Sequence, residues 1–255
     1  MSKFSNKVKS LDEALSIIPK SGARIMMGGF VGASEPTCCI EWLIKNNIHD
    51  ITLITNEPGL DGFGRAMLYK NGLVREIISS HVGTTSESTE QYLKDALKVE
   101  QYYPMGTLAE KIRAGAMGLG GILVPVGVGI LDEPGLFDLP EPKQVIEING
   151  VKCFVEPALT APFGLVKAWR ADESGNLEYR YTGLNCNAAM AMACDYTIAE
   201  VEEIVPVGTI QPERVGTPAP IISAVVKGLS LKEHDELYRQ HWLKIGKLTP
   251  ETATA

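Results

Sequence analysis

No apolar run in this sequence approaches the roughly 18 residues that span a bilayer, so no membrane-crossing segment is expected. The four histidines, His49, His81, His234 and His241, are scattered without HExxH or any other ligand spacing, and no metal is expected. Cysteine is scarce and odd in number: Cys38, Cys39, Cys153, Cys186 and Cys194, with no CxxC pair. That pattern argues against a disulfide framework and reads as reduced, buried thiols in a cytoplasmic protein. Positive charge is short as well. With 24 basic against 31 acidic residues the net charge is -7 and the pI near 5.2, so neither nucleic acid nor an anionic membrane is expected as main partner. An anionic small ligand remains open, because its recognition depends on local donors. The basic N-terminal stretch is followed by no apolar core, and a secretory signal is not expected.

What is present is ordinary for a globular chain: 255 residues, 45% apolar and 22% charged. One domain is expected over residues 1–245, with a frayed tail over 246–255. Apolar runs and helical periodicities alternate along it. Leu11, Leu15 and Ile18 share a helix face, with Ser10 as its N-cap and Pro19 as its stop. "ARIMM" (23–27), "ITLIT" (51–55) and "VREIISSHVG" (74–83) read as strands, and "PTCCIEWLIKNN" (36–47) as a helix capped by Ser34 with Pro36 in its first turn. "EQYLKDALK" (90–98), "TLAEKIRAG" (107–115) and "LKEHDELYRQHWLKI" (231–245) read as amphipathic helices, and "VIEINGVKCFVEP" (145–157) as a hairpin turning at Asn149-Gly150. The fold class expected is α/β: an open, mostly parallel sheet with helices on both faces and a β-hairpin excursion.

In such sheets ligands bind beyond the carboxyl ends of the strands. Two glycine-rich turns fall there. The first is Gly28-Gly29-Phe30-Val31-Gly32-Ala33-Ser34, between a strand and a helix, where backbone N–H groups and a helix dipole favour an anion. It is neither GxGxxG nor a P-loop, and "ITLIT" leads to Asn56 rather than to an acid for a ribose, so a dinucleotide or NTP site is not expected. Phe30 offers an apolar wall. On its own the turn serves equally well for tight packing.

"GGFVGASEP" (28–36) resembles the signature GGFxxxGxP of the α-type subunit of family I coenzyme A transferases. The resemblance continues, in the family's order, through "GFGRAMLYKNGLVREIISSHVGT" (62–84), "GTLAEKIRAG" (106–115), "VPVGVG" (124–129), "LVKAWRADESGNLEYR" (165–180) and "AEVEEIV" (199–205), covering roughly residues 8–228. It implies the open fold shared with ribose-5-phosphate isomerases, a β-type CoA-transferase subunit as partner, and acyl-CoA and carboxylate substrates. No permanently bound cofactor is implied: coenzyme A is a substrate. A role in fatty acid metabolism is expected. In the family's reaction a glutamate, usually on the β-type half, forms a glutamyl-CoA thioester.

Here Glu57 opens E-x-G-L-x-G-x-G (57–64), the spacing of the β-type catalytic turn. Glu57 is therefore this chain's candidate catalytic residue, with a substrate-orienting role and a solvated turn residue as the competing readings. Gly28 to Ser34 are the candidate CoA-binding residues. Asn56, Met105 and Gly106 are the candidate substrate contacts. Where the family has Pro-Gln-Gly-Thr-Leu, Met105 replaces the glutamine; Val124-Pro125-Val126-Gly127 replaces Thr-Pro-Thr-Gly; Pro162 and Leu184 replace an aspartate and an arginine. These changes imply an acyl pocket more apolar than usual. A CoA transferase subunit is the leading expectation, with an acyl-CoA or ring-opening hydrolase using Glu57, or a non-catalytic scaffold or ligand-sensing subunit, as alternatives.

Overall fold

The computed structural model describes residues 5–133 and 142–249. The expected tail at 246–255 thus lies largely outside the described residues. The first half alternates helix and strand: α1 (Leu11–Leu15), β1 (Arg24–Met27), α2 (Thr37–Lys45), β2 (Ile51–Ile54), α3 (Ala66–Lys70), β3 (Val74–Ser79), α4 (Ser86–Leu93), β4 (Lys98–Tyr102) and α5 (Met105–Ala116). The second half holds β5 (Gly121–Val124), β6 (Val145–Ile148), β7 (Val151–Pro157), β8 (Ala161–Asp172), β9 (Leu177–Glu178), α6 (Asn187–Met192), β10 (Cys194–Val205), β11 (Ala224–Lys227) and α7 (Leu231–Lys244).

The main sheet runs β11-β10-β8-β1-β2-β3-β4, with every neighbour on that path parallel and β9 added antiparallel to β8. Its strands are apolar on both faces, as a sheet covered by helices requires. Ile25, Met27, Leu53 and Ile77 point to one core, with Leu15, Ile40, Leu43 and Leu68 from α1, α2 and α3. Met26, Ile54 and Ile78 point to the other, with Leu108 and Ile112 of α5 and Met190 of α6. The period-two alternation assigns each strand residue to its core. The expected fold class therefore holds.

From β1 the chain order runs one way through β2, β3 and β4, and the other way through β8, β10 and β11. The order reverses between β1 and β8, which is where an open α/β sheet leaves a crevice at the strand ends. Gly28, just past β1, donates its N–H to Leu165 O at 3.0 Å, so the first glycine turn springs from this switch point.

The hairpin expected at Asn149-Gly150 joins β6 to β7, with φ of 52° and 77° at the two turn residues, as a type I′ turn requires. With β5 it forms a separate three-stranded sheet. The helix expected over 90–98 differs: it begins at Ser86, where Thr85 Oγ1 accepts the Ser88 N–H at 3.2 Å, and ends at Leu93. Asp95, at φ 55°, turns the chain toward β4. Among the described residues no helix is long and apolar enough to cross a membrane.

Candidate active site

The first turn is a small loop closed on itself. Phe30 N–H donates to Ala33 O at 2.9 Å, and Ala33 N–H to Phe30 O at 2.8 Å. Gly29 and Gly32 have φ of 99° and 82°, which side chains resist. Neighbours also press in: a Cβ on Gly28 would lie 2.0 Å from Asn187 Oδ1, and one on Gly29 2.7 Å from Arg65 Nη2. Val31 N–H donates to Glu57 Oε1 at 3.0 Å. Among the described residues, the N–H groups of Gly29, Gly32 and Ser34 have no protein acceptor, and they are the loop's spare donors. Phe30 and Val31 are exposed at 46% and 41% and form its apolar rim.

Ser34 does not cap α2. It sits at φ 56°, and the helix starts at Thr37 behind Pro36, with no side-chain cap. Pro36 is the residue before the helix rather than within its first turn. One donor at this helix end is met from inside the fold: Cys39 N–H donates to Glu200 Oε2 at 3.0 Å, and Lys167 Nζ pairs with Glu200 Oε1 at 3.1 Å. A carboxylate of the chain itself therefore already sits at this helix terminus.

The second turn, Asn56 to Gly64, follows β2 and mirrors the first, with Leu60 bridged to Phe63. Glu57 is 1% exposed, which excludes a solvated turn residue. One carboxylate oxygen holds Val31 N–H and the other holds Gly59 N–H, so this side chain ties the two turns together. Arg65 Nη1 lies 3.6 Å from it. Arg65 itself is fully buried, donating to Glu35, to Thr55 Oγ1 and, at 2.6 Å, to Gly28 O. Burial pushes the Glu35 carboxyl up against the opposing pull of Arg65, and the nearby Glu57 raises it further. Neither Arg65, Glu35 nor Glu200 stood out in the sequence, because nothing in their immediate neighbours marks these charges as buried.

Asn56 is 1% exposed, and neither its amide oxygen nor its amide nitrogen has a hydrogen-bond partner. Its backbone carbonyl, by contrast, accepts from Ser80 Oγ at 2.8 Å and Ser79 Oγ at 3.1 Å, so the residue's position is fixed. A buried amide with both ends unpaired is costly, and a bound polar group removes that cost. Met105 and Gly106 open α5 past β4, two strands beyond β2 in the sheet, or roughly 10 Å. They share the strand-end face with the two turns without joining them. Beside Gly106 lies a groove of about 680 Å³ walled by Thr107, Ile122, Val124 and Val126. The Thr107 hydroxyl, buried there, has no partner.

Residues 8–228 match the family described as Coenzyme A transferase. The chain is 39% identical over 226 residues to a probable coenzyme A transferase subunit alpha of Bacillus subtilis (strain 168), covering 89% of this chain and 95% of that one. It is 36% identical over 220 residues to the acetate CoA-transferase subunit alpha of Escherichia coli (strain K12), covering 86% and 96%. Among solved structures, an acyl-CoA transferase from E. coli O157:H7, in a thioester complex with CoA, superposes with a TM-score of 0.76 at 21% identity. That match covers 87% of this chain and 47% of the other, so this chain spans about half the length of that structure's chain.

Proposed function

Because this chain belongs to the coenzyme A transferase family, we propose that it is the α-type subunit of a transferase moving CoA from an acyl-CoA to a carboxylic acid. The observation that carries this reading is the unpaired, buried amide of Asn56 beside a turn with spare N–H donors. An acyl-transfer site needs such donors where negative charge develops on the carbonyl oxygen.

In this reading the nucleophile is a glutamate of a β-type partner. Its carboxylate oxygen bonds to the thioester carbonyl carbon, the C–S bond breaks, and CoA leaves as thiolate with an acyl-glutamyl anhydride behind. The thiolate then attacks the glutamyl carbonyl, releasing the first acid and leaving a glutamyl-CoA thioester. The second acid reverses these steps and departs as its CoA ester. Asn56 and the N–H groups of Gly29, Gly32 and Ser34 stabilise the tetrahedral oxyanions, and Phe30 and Val31 help to exclude water. Met105, Gly106 and the groove walled by Ile122, Val124 and Val126 take an apolar acyl chain.

Glu57 acts as a positioning residue. Both its oxygens hold backbone donors and it is buried, which suits neither a nucleophile nor the water-activating base of a hydrolase. The test is borohydride reduction of the assembled complex with acetyl-CoA, followed by mass spectrometry of each chain. The reduced glutamyl adduct is expected on the partner; an adduct on Glu57 overturns the assignment. In the same complex Asn56→Ala is expected to lower kcat by about 10²-fold with little change in KM.

A further inference from the structure

The family match ends at residue 228, and the chain continues into α7. None of the 14 residues of α7 is fully buried, so the helix belongs to neither core. It nevertheless lies across both turns. The Tyr238 ring packs 4.4 Å from Phe63, with the rings of His241 and His234 at 5.6 and 6.1 Å from the same phenylalanine. His241 Nε2 donates to Asp61 O at 2.6 Å, and His234 Nε2 lies 3.2 Å from Thr37 Oγ1. Over the first turn the contact is tighter still: a Cβ on Gly32 would lie 1.7 Å from the Tyr238 hydroxyl.

That hydroxyl is buried and has no hydrogen-bond partner. Gly32 carries one of the turn's spare N–H groups, and it is buried at a turn whose neighbours Val31 and Ala33 are exposed. The helix therefore sits against Gly32, one of the three residues that carry the turn's spare donors, with a group that gains nothing there in hydrogen bonding. Its attachment runs through ring contacts and two histidines rather than through a core. The segment 228–230 offers the pivot: Gly228 N–H is still held by Val201 O at 2.8 Å, and Ser230 already caps α7.

We propose that α7 is a detachable cover: in the free chain it closes the first glycine turn, and it must lift before an acyl thioester reaches that turn. This rests on the reading of the turn as the acyl-CoA site. A ligand that binds only the open form shows an apparent affinity reduced by the open fraction. Removing the Tyr238 ring deletes the aromatic pair with Phe63 and favours the open form by about three- to tenfold.

The experiment uses the full chain with its β-type partner and acetyl-CoA as probe. Tyr238→Ala is expected to lower KM for acetyl-CoA by about three- to tenfold at unchanged kcat, and to speed hydrogen exchange of residues 28–34 in the chain without ligand. Unchanged exchange at 28–34 overturns the cover, whatever the reaction. A raised KM overturns it as well, because Tyr238 is then a ligand contact. Faster exchange with no CoA transfer in either protein supports the cover and overturns the functional reading instead. Tyr238→Phe keeps the ring and removes the unpaired hydroxyl; it is expected to slow exchange at 28–34, and faster exchange there overturns the proposal.

Discussion

Replacing Glu57 by glutamine separates a tie between turns from a chemical role. The carboxylate accepts Val31 N–H at 3.0 Å on one oxygen and Gly59 N–H on the other, with Arg65 Nη1 at 3.6 Å. Glutamine has a single acceptor oxygen, so one of the two backbone donors is left facing an amide NH₂. The loss is one charge-assisted hydrogen bond, about 1.5–3 kcal/mol, together with a buried donor left unpaired. Part of it is recovered, because Glu35 and Glu57 crowd one guanidinium and removing one charge relieves the other. The net expectation is a destabilisation of about 2–3 kcal/mol, against about 0.5 or less for an acid exposed in a turn. In urea unfolding of the full chain at pH 7 this is a midpoint roughly 1 M lower at unchanged slope. A midpoint within about 0.2 M of wild type would refute the tie. Loss of CoA transfer with an unmoved midpoint would return Glu57 to the chemistry.

Two further changes probe the surroundings. Gly64→Ala places a methyl 1.8 Å from the buried Glu35 Oε2 at φ 53°, and is expected to cost about 2–4 kcal/mol by thermal or urea unfolding; a change below about 1 kcal/mol would show that the Glu35–Arg65 pair moves freely. Burial works to raise Asp172, but hydrogen bonds from Ser174 and Asn176 outweigh it and hold the carboxyl below its ordinary 3.8. A depressed carboxyl contributes stability above its unfolded value and loses it as the pH falls through the folded one. Asp172→Ala is therefore expected to be less stable than wild type by a constant margin from pH 7 to about pH 5, narrowing as the pH drops below 3.8. A margin independent of pH down to acid unfolding would contradict that assignment.

The strands are readable because their apolar runs are short and lie between turn residues, and the Asn149-Gly150 hairpin because its dipeptide favours the type I′ turn that closes hairpins. Both glycine turns were placed at the sheet's carboxyl end by the same alternation. The resemblance carried the family further than periodicity can, since no spacing of apolar residues names a ligand. What stayed hidden was long-range. Glu57 looks like an exposed turn acid until β1 brings Val31 beside it, 26 residues away in the chain. Glu200 reaches the start of α2 from 161 residues away, which local sequence around Ser34 cannot reveal. Tyr238 sits on a helix whose amphipathic pattern says that one face is covered, but not what it covers.

Among the described residues, two buried cations beside the turns are already engaged: Arg65 by Glu35 and Glu57, Lys167 by Glu200. The two turns therefore offer oriented backbone dipoles and shape rather than the charge of these two side chains. On the proposed reading, a thioester carbonyl suits such donors. On that same reading the labour is divided: the long-range pull on an anionic CoA ester, and most of its sensitivity to ionic strength, falls to the partner subunit.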